Sequence, residues 1–186
     1  MKLFLYAFML TTAFNCGSTQ NSAEPVADNT TTPTPATQEE QSYILVGTIQ
    51  KSDLQQAPHN AWFEPNYSSY KPAPEALKTI KNNINDYEIK LFMGTWCSDS
   101  QYQVPYFLKL LELSNFDMDN LEMEAVEEDK TLPNDLQKEF DVVYVPTIIF
   151  YKDGKEVNRF VEYPQQSLEK DIATIVSGKK YRHSYQ

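Results

Sequence analysis

Apolar positions along this chain switch between two periods. Residues 88–93 (EIKLFM) form a short, nearly continuous apolar run, the pattern of a strand buried on both faces. In 103–113, Val104, Phe107, Leu108, Leu110 and Leu111 recur at helical spacing, which predicts a helix beginning near Cys97. Behind Pro72 and Pro74, Leu77, Ile80 and Ile84 share one side of a helix predicted over 75–85. Short strands are predicted at 43–49 and 121–126, and a short helix over 133–140 with Pro133 in its first turn. Strands at 147–151 and 156–161 flank Lys152, Asp153 and Gly154, a hairpin-turn composition. A last amphipathic helix over 165–176 turns Leu168, Ile172, Ile175 and Val176 inward and stops at Gly178. Strands separated by helices, then a hairpin and a helix, predict an α/β sandwich with a central mixed β-sheet flanked by helices.

The first forty-two residues follow a different pattern. Lys2 precedes a largely apolar run over 3–14, and Cys16 follows it, the layout of a secretory signal. As a helix that run would extend about 18 Å, short of the roughly 30 Å of a hydrocarbon core, so residues 1–15 read as a cleaved signal peptide. A cysteine directly after the run resembles the lipobox of bacterial lipoproteins, which implies a diacylglycerol on Cys16. Ala13, Phe14 and Asn15 depart from the usual Leu, small residue, Gly or Ala lead, and the alternative is an ordinary signal with Cys16 incidental. Residues 17–42 hold no aromatic and one large aliphatic, Val26. Such a stretch cannot bury enough surface to offset its ordering entropy, so 16–42 reads as a lipidated cysteine and disordered tether ahead of a domain at 43–186. The expected location is the bacterial cell envelope, exported, facing the periplasm or cell surface, with only the lipid anchor touching the membrane.

Charge and composition remove whole classes of function. Acidic residues outnumber basic ones 26 to 16, a formal charge of -10, the wrong sign for gripping a nucleic-acid backbone. With 41% hydrophobic and 13% aromatic residues the chain is too rich for wholesale disorder and too dilute for a multi-spanning membrane protein. None of the five glycines sits in a phosphate-cradling spacing. His59 and His183 stand apart from each other and from Cys97, which argues against a metal site and a Cys–His hydrolase, and no cofactor is indicated. Trp62, Phe63, Tyr67 and Tyr70, in a stretch broken by prolines, are expected to cover a sheet edge or core. Lys179, Lys180 and Arg182 suit the dipole at the end of the last helix.

Two motifs carry chemistry. FMGTWCSDSQ places Trp96 and Cys97 where a buried strand hands over to a helix, and VYVPTIIFYKDGKEV places Pro146 just before a hairpin. In this order they resemble the thioredoxin superfamily, in which Trp-Cys-x-x-Cys opens the first long helix and a cis-proline loop faces the active cysteine. The resemblance covers roughly 75–176 and implies a thioredoxin-like sandwich. It also implies a catalytic group of Cys97, Trp96 and Pro146, with the Val145 backbone pairing an extended substrate, and Ser100 and Asp99 as further substrate-contacting positions. Independently of the resemblance, thiolate is the nucleophile of disulfide exchange, and a free cysteine titrates near 8.5. A helix amino terminus favours the thiolate, whereas Asp99 in the same turn opposes it.

Two departures from the family matter. Ser100 stands in place of the second cysteine, 43–186 holds no other thiol, and Leu91 stands where thioredoxins carry a buried Asp. A dithiol enzyme releases its mixed disulfide intramolecularly, which a serine cannot do. The sequence therefore predicts a monothiol thiol–disulfide oxidoreductase acting on a disulfide- or thiol-containing protein or a small thiol. Its mixed disulfide would be released by an external thiol or a partner redoxin. The alternative is a non-catalytic module of the same fold that binds peptides or proteins.

Overall fold

The computed structural model describes residues 43–186. The expectations for 1–42, lipidation of Cys16 among them, lie outside the described residues. The order is β1 (Gly47–Thr48), α1 (Lys51–Leu54), α2 (Asn60–Ser69), α3 (Pro74–Asn83), β2 (Glu88–Met93) and α4 (Ser98–Leu113). It continues with β3 (Leu121–Ala125), α5 (Leu136–Glu139), β4 (Thr147–Lys152), β5 (Lys155–Val161) and α6 (Leu168–Val176). The strands form one sheet in the order β1-β3-β2-β4-β5. β2 runs parallel to β3, and every other pair is antiparallel. The expected α/β sandwich with a mixed sheet is the fold.

Strand alternation sorts the core into two layers. Ile89, Leu91 and Met93 of β2 join Ile80 of α3, Phe107 of α4 and Ile172 of α6. Phe92 points the other way, into a smaller cluster with Val126, Val142, Val145 and Ile149. β4 divides likewise, with Ile148 and Phe150 in the first layer and Ile149 in the second. Each such side chain contributes about 1.5–3 kcal/mol on full burial, so the unbroken apolar run of β2 is explained by its position between two covered faces.

Helix α2 is absent from the sequence reading. His59, Trp62, Phe63, Asn66, Tyr67 and Tyr70 do repeat at helical spacing, but Pro58, Pro65 and Pro72 obscure the pattern. Phe63 and Tyr70 are buried in the larger core, as the reading of the aromatic cluster anticipates. α2 also completes α4. Pro105 lies inside α4 and lacks the N–H that would bond the carbonyl of Gln101, and Asn66 Nδ2 donates to that carbonyl at 3.0 Å instead.

Other boundaries shift for identifiable reasons. Of 43–49 only Gly47 and Thr48 form a strand against β3, with Ile49 N–H adding a bond to Met123 O at 2.9 Å, because Leu45 N–H donates to Thr95 Oγ1 at 3.2 Å rather than to a strand. The helix predicted over 133–140 shrinks to α5, since Asp135 has φ 57° and a left-handed residue cannot continue a right-handed helix. In the β4–β5 hairpin the turn is Asp153–Gly154, with φ of 52° and 71°, the conformation that Asp-Gly tolerates best. Among the described residues no helix is long and apolar enough to cross a membrane.

Two polar clips hold the periphery. Lys109 at 2.6 Å, the Tyr67 hydroxyl, and Lys51 at 3.3 Å converge on Glu112, tying α1 and α2 to α4. The hydrogen bond from Lys109, followed by that from Tyr67, brings the Glu112 carboxyl down from 4.5 to about 2. The second clip is Asp171, buried in α6, which accepts from Gln165 N at 2.6 Å, Gln166 N at 3.3 Å and the Tyr181 hydroxyl at 3.2 Å. It anchors both the segment after β5 and the carboxy-terminal tail.

A lowered carboxyl stabilises the fold above its unfolded value and ceases to do so as pH falls through the folded value. Glu112 is half exposed, so Glu112→Gln should cost about 1 kcal/mol or less at neutral pH, and the gap to wild type should close as pH falls from 4.5 towards 2 in urea unfolding. A gap that persists at the acid end would contradict the clip. Asp171→Ala should cost about 2 kcal/mol and accelerate amide exchange in 181–185; unchanged exchange there would mean that the tail is held by other contacts.

Candidate functional site

The site forms where β2 ends. Cys97 N–H donates to Gly94 O at 3.0 Å, closing a turn, and Cys97 itself caps α4 in an extended conformation. Its carbonyl accepts the first helical bond, from Gln101 N at 2.9 Å. Ser100 Oγ accepts the Gly94 N–H at 3.2 Å, so strand and helix are tied from below as well. A Cβ on Gly94 would come within 2.6 Å of the Trp96 ring, so glycine is what lets the indole lie back across the turn. Trp96 Nε1 then donates to Val126 O at 3.0 Å, at the end of β3.

The opposite wall is the loop into β4. The Val145–Pro146 peptide is cis, the form the resemblance implies. Cys97 Sγ donates to Val145 O at 3.3 Å, and the next carbonyl, Pro146 O, accepts from Glu162 N at 2.7 Å. Thr147 Oγ1 donates to Tyr144 O at 2.6 Å and closes the loop. Cys97, Trp96, Val145 and Pro146 are thus brought together from two segments far apart in sequence. Cys97, Trp96 and Asp99 are each half-buried. Ser100, expected among the substrate-contacting positions, has no exposed surface, because its hydroxyl is turned under the helix to Gly94. Leu91 is fully buried among apolar side chains.

Three features escape the sequence reading. Glu162 follows β5 with φ 63° and accepts the Tyr185 hydroxyl, while the Tyr185 ring stacks on Tyr144 at 3.8 Å and 8°. Burial, then the charge of Asp99, pushes the Glu162 carboxyl up, and Lys130 opposes the shift. His59 is buried on the edge of Trp62, and that burial holds its imidazole below the usual range. With Trp62, Thr95, Trp96 and Gln101 it lines a cavity of about 270 Å³ beside the indole of Trp96. Helical spacing over 59–70 could have revealed α2 and hence this cavity, whereas nothing local marks Glu162. Neither histidine is hydrogen-bonded to Cys97, and among the described residues no group of side chains could hold a metal ion.

Among the described residues Cys97 is the one cysteine, and it is unbridged. The arrangement offers a single sulfur, partly open to solvent, at the amino terminus of a sixteen-residue helix where backbone N–H groups lack helical partners. Such a sulfur can attack a disulfide and remain bound to half of it, and among the described residues no second thiol stands beside it to displace the product.

A family model described as thioredoxin matches residues 52–174. Thioredoxin-2 of Saccharomyces cerevisiae is 31% identical over 86 residues, 46% of this chain and 76% of its own length. An H-type thioredoxin of Picea mariana is 30% identical over 92 residues, 46% of this chain and 64% of its own. The chain spans between 22% and 64% of the length of the plant relatives it matches. A crystal structure of a protein of unknown function from Pseudomonas aeruginosa, 16% identical, superposes with a TM-score of 0.51 over 66% of this chain and 86% of that one, a likeness of fold alone. With the family model spanning well over half of its residues, this chain belongs to the thioredoxin family.

Proposed function

We propose that this chain performs thiol–disulfide exchange through Cys97 alone. The observation that supports this most is the pairing of a partly open Cys97 Sγ, at the start of α4, with the Val145 carbonyl 3.3 Å away, while the buried Ser100 occupies the place of a second thiol. Cys97, its thiol proton given up to solvent, attacks a substrate disulfide; the bond from Sγ to the near sulfur forms as the substrate S–S bond breaks, and the departing thiolate takes up a proton from solvent. Val145 pairs the substrate backbone, and Trp96, fixed by its bond to Val126 O, borders the turn that carries the sulfur. Release requires an external thiol, from a small molecule or a partner redoxin.

A second reading keeps the fold and drops the chemistry. Leu91 and Ser100 favour it, since both groups that serve resolution in dithiol relatives are replaced by side chains that cannot exchange a proton or a sulfur. On that reading the groove holds peptides only. We also read residues 1–15 as an export signal, Cys16 as lipid-bearing and 16–42 as a tether, on the sequence pattern described above.

Treating the full chain with a small disulfide should give an adduct on Cys97 that is absent in Cys97→Ser and persists until an external thiol is added. In Ser100→Cys the adduct should instead release itself, roughly 10²-fold faster or more, leaving a 97–100 disulfide, because the second sulfur acts at millimolar effective concentration. Absence of any Cys97 adduct would favour the binding module. Lipid labelling of the full chain in a bacterial host should be lost in Cys16→Ser; labelling that survives would reject Cys16 as the anchor.

A further inference from the structure

We propose that the groove at Cys97 selects disulfides flanked by positive charge, with Asp99 and Glu162 as its specificity-determining carboxylates; the inference rests on the reading of Cys97 as the nucleophile.

Three segments tied to the residues around the sulfur carry acidic groups. Asp99 lies in the first turn of α4, two residues beyond Cys97. Glu162, just after β5, is tied to the loop opposite the sulfur. Its N–H donates to Pro146 O at 2.7 Å, and Pro146 follows the residue whose carbonyl faces Cys97 Sγ at 3.3 Å. The third segment begins at Val126, held by Trp96 Nε1 at 3.0 Å, and continues into exposed Glu127, Glu128 and Asp129. Against five carboxylates these segments supply one cation, Lys130.

Glu162 is also held in place. The Tyr185 hydroxyl donates to its carboxylate, and the Tyr185 ring is stacked on Tyr144, next to Val145. Burial, and then the Asp99 charge, raises the Glu162 carboxyl, with Lys130 opposing, so Glu162 feels the negative charge of Asp99. A cation beside them relieves that repulsion, whereas an anion adds to it. Like-sign charge around a cleft also concentrates oppositely charged reactants and accelerates encounter by 10-fold or more at low salt. The preferred substrate is therefore a disulfide with lysine, arginine or another ammonium group beside it. Exchange itself balances without a further reagent: one disulfide is consumed, one mixed disulfide and one thiol form, and the released thiolate takes back from solvent the proton that Cys97 gave up.

The test uses the full chain carrying Cys16→Ser, so that Cys97 is the one sulfur of a cysteine. Three small disulfides probe charge at similar size: cystamine, a dication; bis(2-hydroxyethyl) disulfide, neutral; and 3,3′-dithiodipropionate, a dianion. Rates of mixed-disulfide formation near neutral pH, read by mass spectrometry, are divided by those of a small uncharged thiol with the same reagents. The normalised cystamine-to-dithiodipropionate ratio should be about tenfold or greater at low salt, and should fall towards one in about 0.5 M salt and in the Asp99→Asn, Glu162→Gln double variant. The salt arm tests charge selection even where the double variant fails to fold, and the single variants Asp99→Asn and Glu162→Gln then test the two carboxylates, an undiminished ratio in both rejecting them. A ratio near one, or one indifferent to salt, overturns charge selection while reaction with the neutral disulfide leaves the nucleophile standing. Failure of all three disulfides to react overturns the reading of Cys97 beneath it.

Discussion

Everything at the site depends on β2 being buried on both faces. Its side chains enter both hydrophobic layers, Leu91 and Met93 on one side and Phe92 on the other, and it is hydrogen-bonded to β3 and β4 along its length. A strand held in this way has no freedom to slip, since a shift of one residue would exchange its two faces. The point where it ends is thereby determined, and the residue that caps α4 four positions later is Cys97. The hydrogen bond from Gly94 N–H to Ser100 Oγ and the bond from Cys97 N–H to Gly94 O transmit that rigidity from strand to sulfur.

Loss of the second thiol and loss of the buried acid make physical sense together. An acidic group beneath the helix serves to move a proton when a second thiol attacks. With serine at position 100 there is no thiol to deprotonate, and an unpaired buried carboxylate would only cost desolvation. Leu91 fills the space with apolar contact, and the Ser100 hydroxyl finds a structural task in accepting a buried backbone N–H. At both positions the structure shows packing, which is consistent with the proposed monothiol function.

The legible parts of the chain are those whose neighbours in space are also neighbours in sequence. β2 and α4 follow directly from the apolar run at 88–93 and the helical spacing of 104–111, and the Asp153–Gly154 turn follows from two residue types with a known tolerance of positive φ. α2 was hidden because proline weighs against helix locally, although Asn66 repays it by bonding the Gln101 carbonyl that Pro105 leaves open. No window of sequence contains both halves of that exchange. The shortened α5 depends likewise on the left-handed backbone at Asp135, a conformation that Asp permits without announcing.

Residue order alone thus specifies a buried strand ending ahead of a helix, a lone sulfur at the junction, and a proline before the closing hairpin, because periodicity and turn chemistry are local properties. It cannot specify which side chains confront that sulfur. Val145, 48 positions away, meets Cys97 because β2 and β4 pair antiparallel, and Glu162 joins them because β5 returns along β4 to the same end of the sheet. Ser100 shows the same division from the other direction: its sequence position marks it as part of the site, yet the turn of α4 rotates it under the helix and out of reach of any substrate. Chemistry of the sulfur is written in the chain, while its electrostatic surroundings arise only when strands distant in sequence close on one edge.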